Sequence, residues 1–416
     1  MEEQTAGIES HPSRTRYAVV GYHDHDFGLA VAGRNSIDAL EASGRSVELV
    51  RLDPWRNPRN RRLTPYAGPT VNLFHANPNE IGALARQWLH AVDLAAPHVA
   101  VPYWELPVLP RSWELVLARM DAVLAPTRFI GEACRAALPG VPIVDYPQAP
   151  FLPEGIAPSR EAWGLPRDAT VFVVAFGLGS DIDRKNPGTA IEAFRRAFPV
   201  DDGVRLVVKT RPWPGLAGAD RRMSELTARV AGDRRIRVID GALPFEEQLG
   251  LYASCDVLLS THRSEGLGLH LMESMSMGKV VAATGWSGNV DFMTPANSVA
   301  LSYQLVPVVT HHEAYSAERS RAGQVWAEAD LEDTVRALRE LRANPEWRLG
   351  LGARAARDME ARRRSMRSGE SFDRLEDVLS RAHGRRGGLV SAVARGWIRS
   401  QVAWVASLMS GPRTGS

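Results

Sequence analysis

THRSEGLGLHLMESMSMGKVVAATGWSGN, residues 261–289, decides how the chain is read. It follows the apolar run Val257-Leu258-Leu259. The loop Gly266-Leu267-Gly268 then opens an apolar run at helical spacing. Past Gly278 come Val280-Val281-Ala282-Ala283 and a second glycine turn. The order is strand, glycine loop, helix, strand, loop. The first N–H groups of a helix have no partner within it, and its N-terminus favours an anion. A glycine loop at that point lets the backbone approach a phosphate closely. Two acids flank the loop, Glu265 before the helix and Glu273 two turns into it, eight residues apart. A carboxylate at Glu273 can accept two hydrogen bonds from a vicinal diol such as a ribose. Glu265, on the loop, can face a second hydroxylated group beside the phosphates. Two acids on a solvated helix are the plain alternative, and the glycine loop behind a buried strand weighs against it.

Strands alternate with helices on both sides of this stretch. In the first half the spacing predicts strands over 17–22, 47–52, 71–75, 98–103, 122–125 and 143–146. Helices are expected over 29–43, 80–92, 111–119 and from the cap Thr127 to 138. After a proline-rich stretch the alternation restarts, with strands over 171–176, 204–209, 236–239 and 257–260 and late helices over 331–343 and 345–364. This is α/β, two doubly wound parallel sheets with a cleft between them. The expected division is a disordered 1–14, a first domain over 15–150, a linker over 151–168, a second domain over 169–365 and C-terminal helices over 366–416. A chain of 416 residues suits two domains. In such sheets the ligand lies outside the carboxyl ends of the strands.

Composition narrows the partners. Lys plus Arg is 50 and Asp plus Glu is 48, for a net charge of +2, which does not suggest a nucleic-acid binder. The two cysteines, Cys134 and Cys255, read as buried thiols of a reducing compartment. The N-terminus is polar and no long apolar run occurs, so the expectation is a cytoplasmic protein.

A second constellation lies in FGLGSDIDRKNP, residues 176–187. A strand ends in a Gly/Ser loop containing Ser180, and the cations Arg184 and Lys185 precede a helix. Such cations can meet charge developing on a phosphate leaving group. Lys209, at the end of LVVK, and Arg211 fall at the same edge of the cleft. In the first half, Gly28, His75, Trp104 and Glu105 lie at or just beyond strand ends. The loop His23-Asp24-His25-Asp26 invites a metal reading that the rest of the pattern does not support.

These residues carry a resemblance. SEGLGL with Glu273 downstream resembles the E-x7-E motif of retaining GT-B glycosyltransferases of the GT4 family (group 1). RKNP, LVVKT and ATGWSGNVDFM look like the members that build bacterial surface polysaccharides, as do YWEL at 103–106 and APTRF at 125–129. The resemblance covers roughly residues 17–310. It implies GT-B, two Rossmann-like domains facing a central cleft, the first for the acceptor and the second for a nucleoside-diphosphate sugar. Glu273 would hold the ribose and Glu265 the donor sugar. The backbone from Gly266 through Leu267 and Gly268 to Leu269, with Ser180, Arg184, Lys185 and Lys209, would surround the diphosphate. Gly28, His75 and Trp104 would face a saccharide or lipid-linked acceptor. Catalytic roles fall to Glu265, Lys185, His75 and Glu105. No cofactor and no metal are implied, the nucleotide-sugar being a substrate. The same architecture serves nucleotide-sugar 2-epimerases and non-catalytic sugar-nucleotide-binding proteins, and both stay open as alternatives. The nucleotide, sugar, linkage and oligomeric state are not named by the sequence.

The tail is a separate matter. Over 389–409, Val390, Val393, Trp397, Trp404, Val405 and Leu408 form an apolar face opposite Arg395 and Arg399. That pattern suits peripheral contact with the inner face of a membrane, or docking on the first domain.

Overall fold

The computed structural model describes residues 15–212, 219–310, 312–315 and 323–385. Two six-stranded parallel sheets form its frame. The first contains β1 (Arg16–Gly21), β2 (Ser46–Arg51), β3 (Thr70–His75), β4 (His98–Ala100), β5 (Ala122–Ala125) and β6 (Ile143–Asp145), in the order β2-β1-β3-β4-β5-β6. The second contains β7 (Thr170–Gly177), β8 (Val204–Arg211), β9 (Ile236–Asp240), β10 (Val257–Ser260), β11 (Val280–Thr284) and β12 (Val299–Leu301), in the order β12-β11-β10-β7-β8-β9. The central strands are near-continuous apolar runs because helices cover both faces of a parallel sheet. β1, β10 and β11 are buried at every position.

Strand order reverses between β1 and β3 in one sheet and between β7 and β10 in the other. Those two reversals set crevices at the carboxyl ends of the strands. The loops 22–28 and 76–77 leave the first. The loops 178–186 and 261–268 leave the second.

Two elements differ from the sequence reading. The single helix expected over 80–92 is two short ones, Pro78–Ala83 and Ala85–Trp88. The Trp88 indole N–H donates to the Ile81 carbonyl at 2.9 Å, an acceptor that a continuous helix would give to the backbone N–H four residues on. An antiparallel pair, β13 (Tyr303–Pro307) and β14 (Val325–Ala329), forms an arm with no counterpart in that reading. Tyr315 and Trp326 of this region pack with Trp104, Leu106 and Trp113 of the first domain, so an apolar core crosses between the domains.

The chain's late helices also cross. Helix Pro345–Arg367 reaches the first domain, where Arg362 Nε donates to the Gln148 carbonyl at 2.6 Å. Helix Glu370–Arg385 lies on the first sheet through Phe372, packed against Tyr17 and Tyr146, and through Glu376, which accepts from the Tyr17 hydroxyl at 2.7 Å. Cys134 and Cys255 are free and buried. No helix among the described residues is long and apolar enough to cross a membrane. The amphipathic stretch 389–409 lies outside the described residues.

Candidate active site

The loop after β10 is built backbone to backbone. Gly268 takes φ +81°, a left-handed conformation open to glycine, and it is the N-cap of helix Leu269–Ser276. The loop after β11 lies directly on it. A Cβ on Gly288 would sit 2.0 Å from the Gly266 carbonyl oxygen, so only glycine fits that approach. The Gly288 N–H donates to the Glu265 carbonyl at 2.8 Å, and the Glu265 N–H donates to Ser287 Oγ at 2.8 Å. Buried His262 spans Ser260 Oγ at 2.9 Å and Asn289 Oδ1 at 3.1 Å, tying both loops to the strand end. Glu265 is thereby held on a rigid support.

Its carboxylate is buried and paired twice, with Lys185 Nζ and with an Arg184 guanidinium nitrogen at 3.4 Å. Burial alone would raise its pKa, but the Lys185 and Arg184 cations together hold it well below the usual carboxylate range. Burial lowers the Lys185 pKa, and Glu265 opposes that shift. Lys185 faces a cavity of ≈ 180 Å³ that lies between the domains, and Glu265 stands behind it. Phe27, Gly28 and Val31 line it from the first domain. Ser180, Lys185, Lys209, Leu269, His270 and Glu273 line it from the second.

The Glu273 side chain differs from that of Glu265 in having no ion-pair or hydrogen-bond partner among the described residues, although Glu273 is 3% exposed. Burial pushes its carboxyl up to about 7 from an ordinary 4.5. In the free protein the folded chain binds this proton more tightly than the unfolded one, so stability falls as pH rises from about 4.5 to about 7. A diol ligand needs the ionised form as acceptor, so its affinity rises as pH passes upward through about 7. Glu273→Gln is expected to flatten both trends, read by thermal melts and ligand titrations across that range.

Other expected residues are placed differently. Arg184 does not reach the cavity. It is 3% exposed and donates to the Ser264 carbonyl at 2.7 Å and the Ser180 carbonyl at 3.0 Å, with Glu105 at 3.6 Å. It bridges loops rather than presenting a charge to a phosphate. Lys209 lies at the cavity wall, but its ammonium donates to the carbonyls of Thr210 at 2.5 Å and Gly241 at 2.6 Å, and burial lowers its pKa to about 8. Trp104 is not an acceptor surface here. Its ring is buried between Trp113 and Tyr315, its indole N–H donates to the Val108 carbonyl at 2.9 Å, and a Cβ on Gly266 would lie 2.9 Å from its own carbonyl oxygen. Glu105 accepts from the Tyr315 hydroxyl at 2.9 Å and receives Ser264 Oγ on its carbonyl, which makes it part of the contact between domains. His75 is fully buried at the end of β3, 3.4 Å from the Tyr103 hydroxyl, and burial pushes it down to about 3. It is not exposed to the cavity.

The side chains of the loop 23–26 diverge to separate partners. His23 contacts the Val19 carbonyl at 2.8 Å, Asp24 pairs with Arg51 at 3.1 Å, His25 faces Asp53 at 3.6 Å and Asp26 pairs with Arg34 at 3.0 Å. Sequence reasoning passed over His270 in the first turn of the central helix. Its Nε2 has no hydrogen-bond partner among the described residues, and burial beside Lys185 holds the ring neutral, with a pKa of about 3. Its place directly after Gly268-Leu269 was the available signal. Tyr315 was also passed over, and nothing local in the sequence marked it.

Comparisons with known proteins agree with this architecture. Residues 178–306 match the family described as glycosyl transferases group 1. No curated protein gives a significant sequence match. Among solved structures, sucrose-phosphate synthase from Thermosynechococcus elongatus is similar at 16% identity and a TM-score of 0.63, covering 88% of this chain and 100% of that one. A glycosyltransferase from Rickettsia africae is similar at 12% identity and 0.60, covering 89% and 99%. Anabaena HepE in complex with UDP-glucose is similar at 11% identity and 0.59, covering 87% and 99%. The chain has the GT-B fold, two Rossmann-like domains facing a cleft, and its second domain carries the match to glycosyl transferases group 1.

Proposed function

We propose that the protein is a retaining glycosyltransferase of the GT4 type. It moves a sugar from a nucleoside-diphosphate sugar to a hydroxyl of a saccharide or lipid-linked acceptor, in surface-polysaccharide or glycoconjugate synthesis in the cytoplasm. The observation that carries the reading is the unpartnered, buried Glu273 carboxylate beside the Lys185–Glu265 pair, in a cavity between two facing strand-order reversals. In this reading Glu273 takes the ribose diol. Lys185 and the amides opening helix Leu269–Ser276 take the diphosphate. Glu265 and the neutral His270 face the donor sugar. Glu265 is held ionised by two cations, which suits orientation of a hydroxyl and not proton removal. The leaving phosphate oxygen takes the acceptor proton as the new bond forms on the same face. The protein's share is positioning and charge stabilisation. The donor is a substrate, and no cofactor or metal enters the scheme.

The cavity is smaller than the several hundred Å³ usual for sites that enclose a whole ligand, so donor entry requires the cleft to widen. A thermal-shift screen of UDP, GDP, TDP and ADP sugars tests the reading. UDP-glucose comes first because HepE, a structural neighbour, binds it. A ligand at 100 times its Kd should stabilise the protein by about 2.7 kcal/mol. Product analysis with and without acceptor follows. A 2-epimerised donor formed without acceptor, or binding with no turnover at all, would replace transfer by one of the two alternatives.

A further inference from the structure

The segment 51–62, RLDPWRNPRNRR, leaves the carboxyl end of β2 with five arginines, at 51, 56, 59, 61 and 62. A run like this is ordinarily a solvated, slack loop. Here its backbone is pinned at three points. Asp53 Oδ1 accepts from the N–H groups of Trp55 at 2.8 Å and Arg56 at 2.9 Å. The Gln87 side chain accepts from the Asp53 N–H at 3.0 Å and donates to the carbonyls of Asp53 at 2.8 Å and Arg56 at 3.0 Å. The Asn60 side chain accepts from the Arg51 N–H at 2.9 Å and donates to the carbonyls of Arg51 and Gln87, both at 2.8 Å. The result is a fixed arch. Trp55 stands on it 57% exposed, and Arg56 and Arg59 are exposed beside it. Arg51 pairs with Asp24, whereas the guanidinium groups of Arg56 and Arg59 have no partner among the described residues. Arg56 and Arg59 stand three residues apart on this fixed backbone, and an anion bound between two like charges offsets their repulsion.

The arch is joined to the candidate site by aromatic rings. The centroid of Trp55 lies 5.4 Å from that of His25, His25 stacks on Phe27 at 5.5 Å, and Phe27 packs on Tyr22 at 5.0 Å. Phe27 and Gly28 then line the cavity itself, from the first-domain side. A ligand that lies along this row meets Trp55, with the exposed Arg56 and Arg59 beside it in the chain, and then the first-domain wall of the cavity where the donor sugar would lie. Indole faces take the C–H face of a sugar or a hydrocarbon chain. Guanidinium groups take phosphate oxygens bidentately.

We propose that the arch Asp53–Asn60 is the acceptor site, and that the acceptor carries phosphate: a phosphorylated saccharide or a lipid-linked diphosphate. This rests on the reading of the protein as a glycosyltransferase and names its acceptor class. Arg56 and Arg59 hold the phosphate, and Trp55 orients the rest of the molecule toward Phe27.

The test uses the full chain, with inorganic pyrophosphate and farnesyl diphosphate as probes. Binding is followed by tryptophan fluorescence and calorimetry. R56Q/R59Q should weaken the diphosphate probe at least about tenfold and lower its salt dependence, while W55A should remove the fluorescence change. Farnesyl diphosphate binding more tightly than pyrophosphate supports a lipid-linked acceptor, and equal affinities support a soluble phosphosaccharide. Unchanged probe affinity in R56Q/R59Q overturns the proposal, as does loss of the probe in K185A instead, which would put the diphosphate in the donor cavity. Binding only to vesicles of phosphatidylcholine with phosphatidylglycerol, and to neither probe, also overturns it in favour of a membrane surface. The nucleotide thermal shift is measured on every variant. If no nucleotide stabilises the wild type while the arch still binds diphosphate, the glycosyltransferase reading fails and the anion site stands.

Discussion

Replacing Lys185 by alanine is expected to lower kcat by about 10²–10³-fold, the cost of removing one preorganised donor to developing charge. Lys185 ends the short helix Ile182–Lys185, and its ammonium faces the cavity against Glu265. It is the one expected phosphate cation in the second domain whose head group is not given to backbone carbonyls: Arg184 and Lys209 both are. The fold should survive the change, because Arg184 still neutralises the buried Glu265 carboxylate. The variant should therefore melt as a folded protein and keep most of its affinity for the nucleotide. Turnover carries the loss, since the interaction is strongest where charge builds on the leaving group. Full turnover in a folded Lys185→Ala protein would remove the phosphate role assigned to this residue.

Arg184→Met should act on stability instead, by about 3–5 kcal/mol, the range for removing one partner of a buried ion pair. The guanidinium is shared by Glu265 at 3.4 Å and Glu105 at 3.6 Å, and it also satisfies the carbonyls of Ser264 and Ser180. Methionine fills similar volume but leaves two carbonyls unpaired and Glu265 with a single cation. Denaturant midpoints measure the effect. Glu105→Gln is the milder comparison, since the Glu105 side chain is partly exposed and Arg184 keeps Glu265 as partner. The opposite pattern, with Arg184→Met as stable as wild type and weakened only for the nucleotide, would return Arg184 to the phosphate.

The contrast between these two neighbours bears on how the domains work together. Glu105 comes from the first domain and Arg184 from the second, and Tyr315 on the arm touches both, donating to Glu105 and lying 5.9 Å under the Arg184 guanidinium. Thr127 Oγ1 also donates to the Gly266 carbonyl at 2.9 Å, and Arg211 reaches the Asp26 carbonyl at 2.7 Å. The glycine loop of the second domain is thus seated against the first. A contact of this kind, with an aromatic core beside it, resists the free domain motion that small polar interfaces allow.

The sequence by itself determined the two parallel sheets, the glycine loop that opens a helix, and the acids on either side of it. Those features are local. Apolar runs of strand length, a left-handed turn at Gly268 and a fixed spacing between Glu265 and Glu273 are written in consecutive residues. Tertiary structure decided which side chains reach the cavity. Arg184 and Lys185 are adjacent in sequence, yet one faces loop carbonyls and the other the cleft, because the last turn of a four-residue helix points them in different directions. His75 and Trp104 lie near strand ends, where ligands are met, but Tyr103, Trp113 and Tyr315 enclose them. Tyr315 comes from more than 200 residues downstream of these neighbours. No periodicity or spacing carries such information, since burial of a side chain depends on what distant chain segments place above it. The pairing of Glu265 with two cations and the absence of a side-chain partner for Glu273 among the described residues have the same origin: both acids stand in one motif, and only packing makes one an ion pair and leaves the other buried without a cation.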